Sequence, residues 1–355
     1  MRTTIGAEEE FVLLNPLTLT PVDRAAEAIA ALGGRREDGG AVTPEFFPSQ
    51  LEYATRVCRT AADVSGALEG FRAELREWAA SAGLLAAGVG LPYRTARDAQ
   101  VTDQDRYRDI ASRFGLVVPD HQLNGLHVHV GVDDREQAVV ALNRLRPWLP
   151  ALLALSANSP FWQGADTGFD SWRAIHSRRW TTHGVPPAFA DAADYDRRAA
   201  ALSGVGGTSD AGTLNWVVRP SERFPTVEVR VFDAQLDGAT SAAFAALVRG
   251  LVVSPPDDDG RAAALAPELL DAAHWHAARD GLAGDLLDPR DGGLRPAPEV
   301  AAALLAAAGP GLAEHGDTDL VHDTVARVLT DGNGATRQRR ALARGGTAGL
   351  AALIS

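Results

Sequence analysis

The sequence predicts an α+β fold built on a mainly antiparallel sheet, and three observations predict it. Segments with strand period are concentrated before residue 235, and helical periodicity dominates after it. The strands do not alternate with helices in the regular manner of βαβ units. No Pro/Gly/Ser-rich linker separates two self-sufficient halves and no internal repeat occurs, so residues 1–355 read as one large domain or two intimately joined lobes, strand-rich over 1–235 and helical over 236–355.

Residues 3–14 alternate with a period of two and end at the turn signal Asn15–Pro16. A helix is expected over about 22–32, then a turn followed by a strand within 42–58. From Thr60 to Ala82 the period becomes helical, with Leu68, Phe71, Leu75 and Trp78 on one face. "LLAAGVG" (84–90) reads as a short buried strand, and "NGLHVHVGV" (124–132) as an alternating strand followed by a helix through about 156. The stretch 157–212 has no sustained period, and a long irregular segment in a compact domain is often a functional loop. Two more strands follow at 213–220 and 225–234, then helices at about 240–254, 262–280, 298–308, 317–330 and 335–344.

The formal charge of −12 argues against nucleic acid or an anionic membrane as partner. A single cysteine, Cys58, excludes an internal disulfide and a cysteine-based zinc site, and suits a small buried hydrophobe in a reducing compartment. With no signal-peptide pattern and no run of about 18 apolar residues, a cytoplasmic protein is expected. All 34 basic residues are arginine. That removes the P-loop lysine, the kinase lysine and Schiff-base chemistry, so any phosphate must be handled by arginine, backbone amides and metal.

Side chains two apart on a strand share a face. In "GAEEEF", Glu8 and Glu10 therefore share one face, and Glu9 points the other way among Ile5, Ala7, Phe11 and Leu13, where a salt bridge or a solvent-reaching edge must satisfy it. In "HVHV", His127 and His129 share a face; in "TVEVRVFD", Glu228 and Arg230 do, with valines behind. "PEFFPSQLEY" supplies Glu45 and Glu52. Each pattern alone is most often a solvated face, a pair of hydrogen-bonded histidines or a salt bridge. Recurrence of polar fronts on apolar backs, in strands that share one sheet, argues instead for a common charged site. Many carboxylates with few imidazoles suit hard cations, Mg²⁺ or Mn²⁺, whose shells substrate phosphates complete. Zinc sites more often gather two or three histidines around one ion. The residues thus point to phosphoryl chemistry on a sheet surface without a P-loop.

"GAEEEF", "NGLHVHVGV", "SANSPFWQGADTGFDSWR", "RPSERFPTVEVRVFDAQ", "WHAARDGL" and "DGNGATRQRR" follow one another in an order that resembles the YbdK-type carboxylate–amine ligases (glutamate–cysteine ligase type 2), nearly from end to end. The resemblance implies a single catalytic domain with a glutamine synthetase-like fold, related to that of the guanidino kinases: a curved, mainly antiparallel sheet with helices on its convex side and ATP and metals on the concave one. It implies Glu10, Glu45 and Glu52 as ligands of one ion, and Glu8, His127 and Glu228 as ligands of another. Arg219 and Arg230 would contact phosphate or the transferred group. Arg173 and Asp166 of the "GADTGFDSWR" loop, and Arg337, Arg339 or Arg340 near a helix N-terminus, are further candidates; Arg173, Arg337 and Arg339 are those assigned to the nucleotide.

The implied reaction activates a small carboxylate with ATP as an acyl phosphate, which a small amine then converts to an amide; glutamate and cysteine are the best-known pair. A homo-oligomer is left open. Two positions depart from the family pattern: Val217 where an acidic residue is common ("W-D-I-R-P"), and Gly90-Leu91-Pro92 in place of "T-H-P". The competing readings are a phosphotransferase on the same scaffold, a zinc hydrolase built on H-x-H, and a non-catalytic family member. His274 and His276 do not share a helix face and are not expected to form a metal pair, and "PPDDDG" (255–260) reads as a solvated loop.

Overall fold

The structure, a computed structural model, describes residues 3–355 apart from 34, 35, 37, 97, 98, 209, 210 and 256–264. The loop expected at 255–260 and the start of the helix expected from 262 therefore fall outside the described residues, save Pro255.

The strands are β1 (Ile5–Leu14), β2 (Ala41–Pro44), β3 (Gln50–Ala54), β4 (Leu85–Ala87), β5 (Gly125–Gly131), β6 (Phe161–Trp162), β7 (Ala165–Asp166), β8 (Val218–Pro220), β9 (Thr226–Asp233), β10 (Asp285–Leu287) and β11 (Leu294–Pro296). Seven of them form one sheet in the order β2-β3-β1-β5-β9-β8, with β4 joined to the end of β1, and every pairing is antiparallel. β6 with β7 and β10 with β11 are separate two-stranded ribbons. The long alternating run of β1 makes it the spine of the sheet: it pairs β3 through 8–12, β5 through 5–9 and β4 through 12–14.

The helices are α1 (Ala25–Leu32), α2 (Ala61–Ser81), α3 (Asp105–Phe114), α4 (Arg135–Leu145), α5 (Leu149–Ser156), α6 (Trp172–His176), α7 (Ala192–Gly204), α8 (Gly238–Val253), α9 (Pro267–Asp280), α10 (Ala297–His315), α11 (Thr318–Asp331) and α12 (Gly334–Ile354). α2 starts where Thr60 and Asp63 form a reciprocal capping box, and it buries Leu68, Phe71 and Leu75 as its spacing requires. Two glycines, Gly345 and Gly346, break the helical dihedrals inside α12.

The back face of the sheet carries Ile5, Ala7, Phe11, Leu13, Val128, Val130, Val227 and Val229 into one core with α2 and α8. Tyr53 stacks on Phe71 at 4.3 Å between centroids, and Phe232 stacks on Phe244 at 5.3 Å. A smaller cluster on the opposite face joins Val12 and Leu14 to Leu350 and Ile354 of α12. One face of β1 thus changes from carboxylates at Glu8 and Glu10 to apolar contacts from Val12 onward. The stretch 135–156 is apolar and long enough to cross a membrane, but 83% of its most apolar window is buried inside the molecule, as in a core helix.

Several elements escaped the periodicity. α3 and α7 occupy stretches without a broad apolar stripe: α3 buries none of its residues fully, and α7 buries only Tyr195 and Ala199. The strand expected over 213–220 is reduced to its last three residues. α10 runs to His315, through Pro310 and beyond the expected end at 308.

Candidate active site

Register places the polar fronts side by side. Glu8 pairs across with His127, Glu10 with Glu52, Gly6 with His129, and His129 with Glu228; Arg219 is opposite Glu228 on the outer strand. Cross-strand partners point to the same face, so β3, β1, β5, β9 and β8 contribute to one acidic surface. Glu45 joins from just beyond β2, where its carbonyl accepts a 2.6 Å hydrogen bond from the Thr102 hydroxyl.

Among the described residues, three overlapping groups of side chains offer metal-ligating atoms within 4.8 Å of one another: Glu10, Glu45 and Glu52; Glu8, Glu52 and His127; and Glu8, His129 and Glu228. The structure brings all six carboxylate and imidazole candidates of the sequence onto this face. It groups Glu228 with His129 rather than with His127, because His129 is the direct cross-strand partner of Glu228. His129 is the residue sequence reasoning left out, although its shared face with His127 was the signal. Its Nδ1 lies 2.8 Å from the Thr226 hydroxyl, and its Nε2 stands 3.5 Å from Glu8.

Electrostatics divide the carboxylates. Burial pushes Glu45 up to about 8, and the charge of Glu10 adds to the effect. Burial raises Glu52 well above the usual range as well, reinforced by Glu8, Glu45 and Glu10. Burial opposes ionisation of Glu8 too, but hydrogen bonding to His127 and His129 outweighs it and holds its carboxyl low. Glu228 is likewise buried, and the charges of Arg230 and Arg219 hold it well below the usual range. Among the described residues no arginine pairs directly with Glu10, Glu45 or Glu52, and the charge of Arg230 offsets their mutual repulsion only in part, so the corner suits a divalent ion. Glu10 Oε2 also accepts a 2.6 Å bond from the Gly125 N–H.

Arg219 and Arg230 do reach the face, and both engage Glu228. Arg219 Nε donates to its Oε2 at 3.0 Å, and Arg230 donates to its Oε1. Arg219 is further fixed by the carbonyls of Leu214 (2.6 Å) and Gly212 (2.9 Å). Arg173 stands beside them: Nη2 donates to the Arg230 carbonyl at 3.3 Å, and a Cβ on Gly125 would meet Nη2 at 2.4 Å and His127 Nε2 at 3.2 Å. Arg337 and Arg339 are placed elsewhere. Arg339 bridges Asp166 (2.8 Å) and Asp170, and Arg337 lies 3.9 Å from Asp237; among the described residues neither bonds to the acidic face. Asp166 is the ion-pair partner of Arg339, and Arg340 donates to the Asp331 carbonyl.

β9 carries an irregularity that no alternation predicts. Between the pairs Leu126–Phe232 and Val128–Val229, β5 advances two residues and β9 three. Val231 and Phe232 both enter the core, and Asp233, opposite Gly125, is fully buried. Asp233 accepts from the Asn158 N–H and Ser159 hydroxyl, each at 2.7 Å, and from the Ser171 hydroxyl at 2.9 Å, with Arg173 3.7 Å away. It anchors the start of α6, and hence Arg173, to the sheet.

Glu9 faces the back, and of the two explanations open for it the salt bridge holds. It is completely buried, paired with Arg72 at 2.8 Å, and accepts from the Gln235 N–H (3.0 Å) and the Ser241 hydroxyl (2.8 Å). Val217 and Leu91, the two departures from the family pattern, are each 2% exposed, and Val217 packs in the main core. Val217 also accepts the Arg230 N–H at 2.8 Å through its carbonyl.

The fold is that of the glutamate–cysteine ligases. A structure of glutamate–cysteine ligase from Francisella tularensis in complex with AMP superposes over 100% of this chain and 88% of its own, with TM-score 0.66 at 13% identity. A bifunctional glutathione synthetase from Pasteurella multocida matches 99% of this chain and 52% of its own, with TM-score 0.70 at 14% identity. At sequence level the chain belongs to the glutamate–cysteine ligase family 2 (GCS2), whose family model matches residues 4–352. A relative from Salinispora tropica, named "Putative glutamate--cysteine ligase 2", is 43% identical over 346 residues, 97% of this chain and 91% of its own. The family places the chain among glutamate–cysteine ligase-like enzymes.

Proposed function

We propose that this enzyme is an ATP-dependent carboxylate–amine ligase that forms an amide through an acyl phosphate, with glutamate and an amino-acid amine such as that of cysteine as its substrates. The observation that carries the reading is the set of three overlapping ligand groups on one sheet face, sharing Glu8 and Glu52. Their donors, mostly carboxylate with one imidazole in two of the groups, fit Mg²⁺ or Mn²⁺, and the mutual repulsion among Glu10, Glu45 and Glu52 gives a cation a reason to be there. Glu10, Glu45 and Glu52 would hold one ion, and Glu8 with Glu52 and His127, or with His129 and Glu228, another. Such ions neutralise charge on the phosphate oxygens of ATP.

In the first step a substrate carboxylate oxygen attacks the γ-phosphorus, and the bond to ADP breaks. In the second the neutral amine nitrogen attacks the acyl carbon, the carbon–oxygen bond to phosphate breaks, and inorganic phosphate leaves while the nitrogen gives up one proton and keeps the other as the amide N–H. The chain's part is positioning and charge. Arg230 and Arg219, aligned by Glu228, present guanidinium groups at the rim of the acidic face, and Arg173 adds a third cation beside His127. Arg339 is assigned to structure in this reading, since Asp166 and Asp170 already use it.

The test is an ADP-release screen. Purified protein with Mg-ATP is offered glutamate and other acids crossed with cysteine and other amines, and products are identified by mass spectrometry. The reading expects a coupled amide product whose formation collapses in Glu10→Gln. ADP release without any coupled product would favour a phosphotransferase, and identical behaviour of wild type and Glu10→Gln would defeat the proposal.

A further inference from the structure

Two histidines outside the acidic face take no part in the site so far described. His274 on α9 is 1% exposed, His183 lies in the loop after α6, and their ring centroids are 6.4 Å apart. None of the four ring nitrogens has a hydrogen-bond partner among the described residues. Buried polar nitrogens left this way are costly, and native structures rarely tolerate four together.

Arg173 connects the pair to the sheet face. Its Nε is also buried without a partner, its guanidinium lies beside Gly125 and His127, and both imidazoles feel its charge. The start of α6 is bolted to α9, because the Asp170 and Ser171 N–H groups both donate to the Ala278 carbonyl, one turn beyond His274. Gly184 follows His183 with φ +125°, and a Cβ there would stand 3.0 Å from Asp271, so glycine lets the loop approach α9. Asp271 itself is held by Arg178 in a bidentate pair at 2.9 and 2.6 Å; its charge favours protonation of His274 and is outweighed by burial, and among the described residues it makes no hydrogen bond to either imidazole.

Burial, together with the neighbouring arginines, keeps both imidazoles neutral: His274 is lowered to about 4 and His183 well below its ordinary value. A neutral imidazole offers one N–H and one lone pair. The pair therefore presents two donors and two acceptors beside a cation. Phosphate would use only the donors and a metal ion only the lone pairs. A group that carries an anion and N–H donors together uses all of them.

We infer that His183 and His274, with Arg173, are specificity residues that hold the α-amino carboxylate end of a substrate, Arg173 and the imidazole N–H groups taking the carboxylate and the imidazole lone pairs the ammonium. The inference deepens the ligase reading, since it assigns a place to an amino-acid substrate of that reaction. It also explains why the first turn of α6 is anchored so firmly to both the sheet and α9.

The experiment is equilibrium binding by calorimetry on the full chain with Mg²⁺. The probes are L-glutamate, L-aspartate and L-cysteine against their deaminated counterparts glutarate, succinate and 3-mercaptopropionate. At least one amino acid should bind about tenfold or more tightly than its counterpart, and that ratio should fall at least about fivefold in both His183→Leu and His274→Leu. Should a variant fail to fold, ¹⁵N resonances of the wild-type imidazoles decide, because two of them should shift on adding the preferred amino acid and not its counterpart. No preference in the wild type, a preference that survives both substitutions, or unmoved imidazole resonances would overturn the inference. A preference for an amino acid with no ADP release from Mg-ATP would instead count against the ligase reading and leave the subsite standing.

Discussion

Arg72 should be one of the most sensitive positions in the protein, although it touches nothing on the acidic face. It is 6% exposed and meets Glu9, which is 0% exposed, in a two-pronged pair: Nη2 to Oε1 at 2.8 Å and Nε to Oε2 at 3.2 Å. Arg72 also donates to the Gln235 carbonyl at 2.7 Å and lies 5.0 Å over the Phe11 ring. In Arg72→Met the carboxylate keeps, among the described residues, the Gln235 N–H and the Ser241 hydroxyl as partners and loses the counter-charge of Arg72. Removing one member of a buried pair costs about 3–5 kcal/mol. For a chain of 355 residues the unfolding entropy is roughly 0.7 kcal/mol per degree, so the melting temperature should drop by about 4–7 °C. Glu9→Gln should cost a similar amount by stranding the guanidinium. The double variant should lose clearly less than the sum, with a coupling of about 2 kcal/mol or more. Calorimetric melting of the four proteins closes the cycle. Single variants within about 1 °C of wild type, or losses that simply add, would refute the claim that this pair is what permits a glutamate on the back of β1.

Two further outcomes follow from the site itself. Glu45, raised by burial and by Glu10 to about 8 in the metal-free protein, favours the fold while protonated; its contribution is intact below about pH 4.5 and is lost as pH rises through about 8, with Glu52 acting in the same direction. Chelator-treated protein should therefore weaken over that window, and the thermal stabilisation by added Mg²⁺ should grow between pH 6 and pH 8.5; a Mg²⁺ shift that is flat with pH would contradict the assignment. Gly125→Ala should displace Arg173 and His127, because the new methyl would sit 2.4 Å from Nη2 and 3.2 Å from Nε2, and Mg²⁺ affinity should fall at least about tenfold; unchanged affinity by titration would show that the face can give way.

How much of this was legible depends on what a residue pattern encodes. Alternation in β1, β5 and β9 reports which side chains share a face, and it put Glu8, Glu10, His127, His129, Glu228 and Arg230 on one surface as the sheet does. It reports nothing about which strands lie side by side. The grouping of Glu228 with His129 rather than His127 follows from a register that only long-range pairing fixes. α7 escaped because a helix with two buried residues has almost no apolar stripe to read. Arg339 shows another limit of a residue pattern: an arginine near a helix N-terminus invites a phosphate, and nothing local in the sequence shows that Asp166 and Asp170, some 170 residues earlier, pair with it.

The extra residue in β9 ties these observations together. Strict alternation would carry Glu228, Arg230 and Phe232 to the front and send Asp233 to the back. Adding one residue between Val229 and Phe232 returns Phe232 to the core, where it stacks on Phe244, and sets Asp233 opposite Gly125. There the aspartate gathers Asn158, Ser159 and Ser171 and fixes the helix that carries Arg173. The irregular stretch after residue 157 is thereby attached to the same sheet face as the carboxylates, and a guanidinium is held beside His127. Glu9 does the corresponding work from behind, clamped by Arg72 so that the strand cannot slip and Glu8 and Glu10 must both face forward. The acidic face is positioned from both sides: by a buried ion pair under β1, and by a break in the pattern of β9 that brings the arginine to the carboxylates.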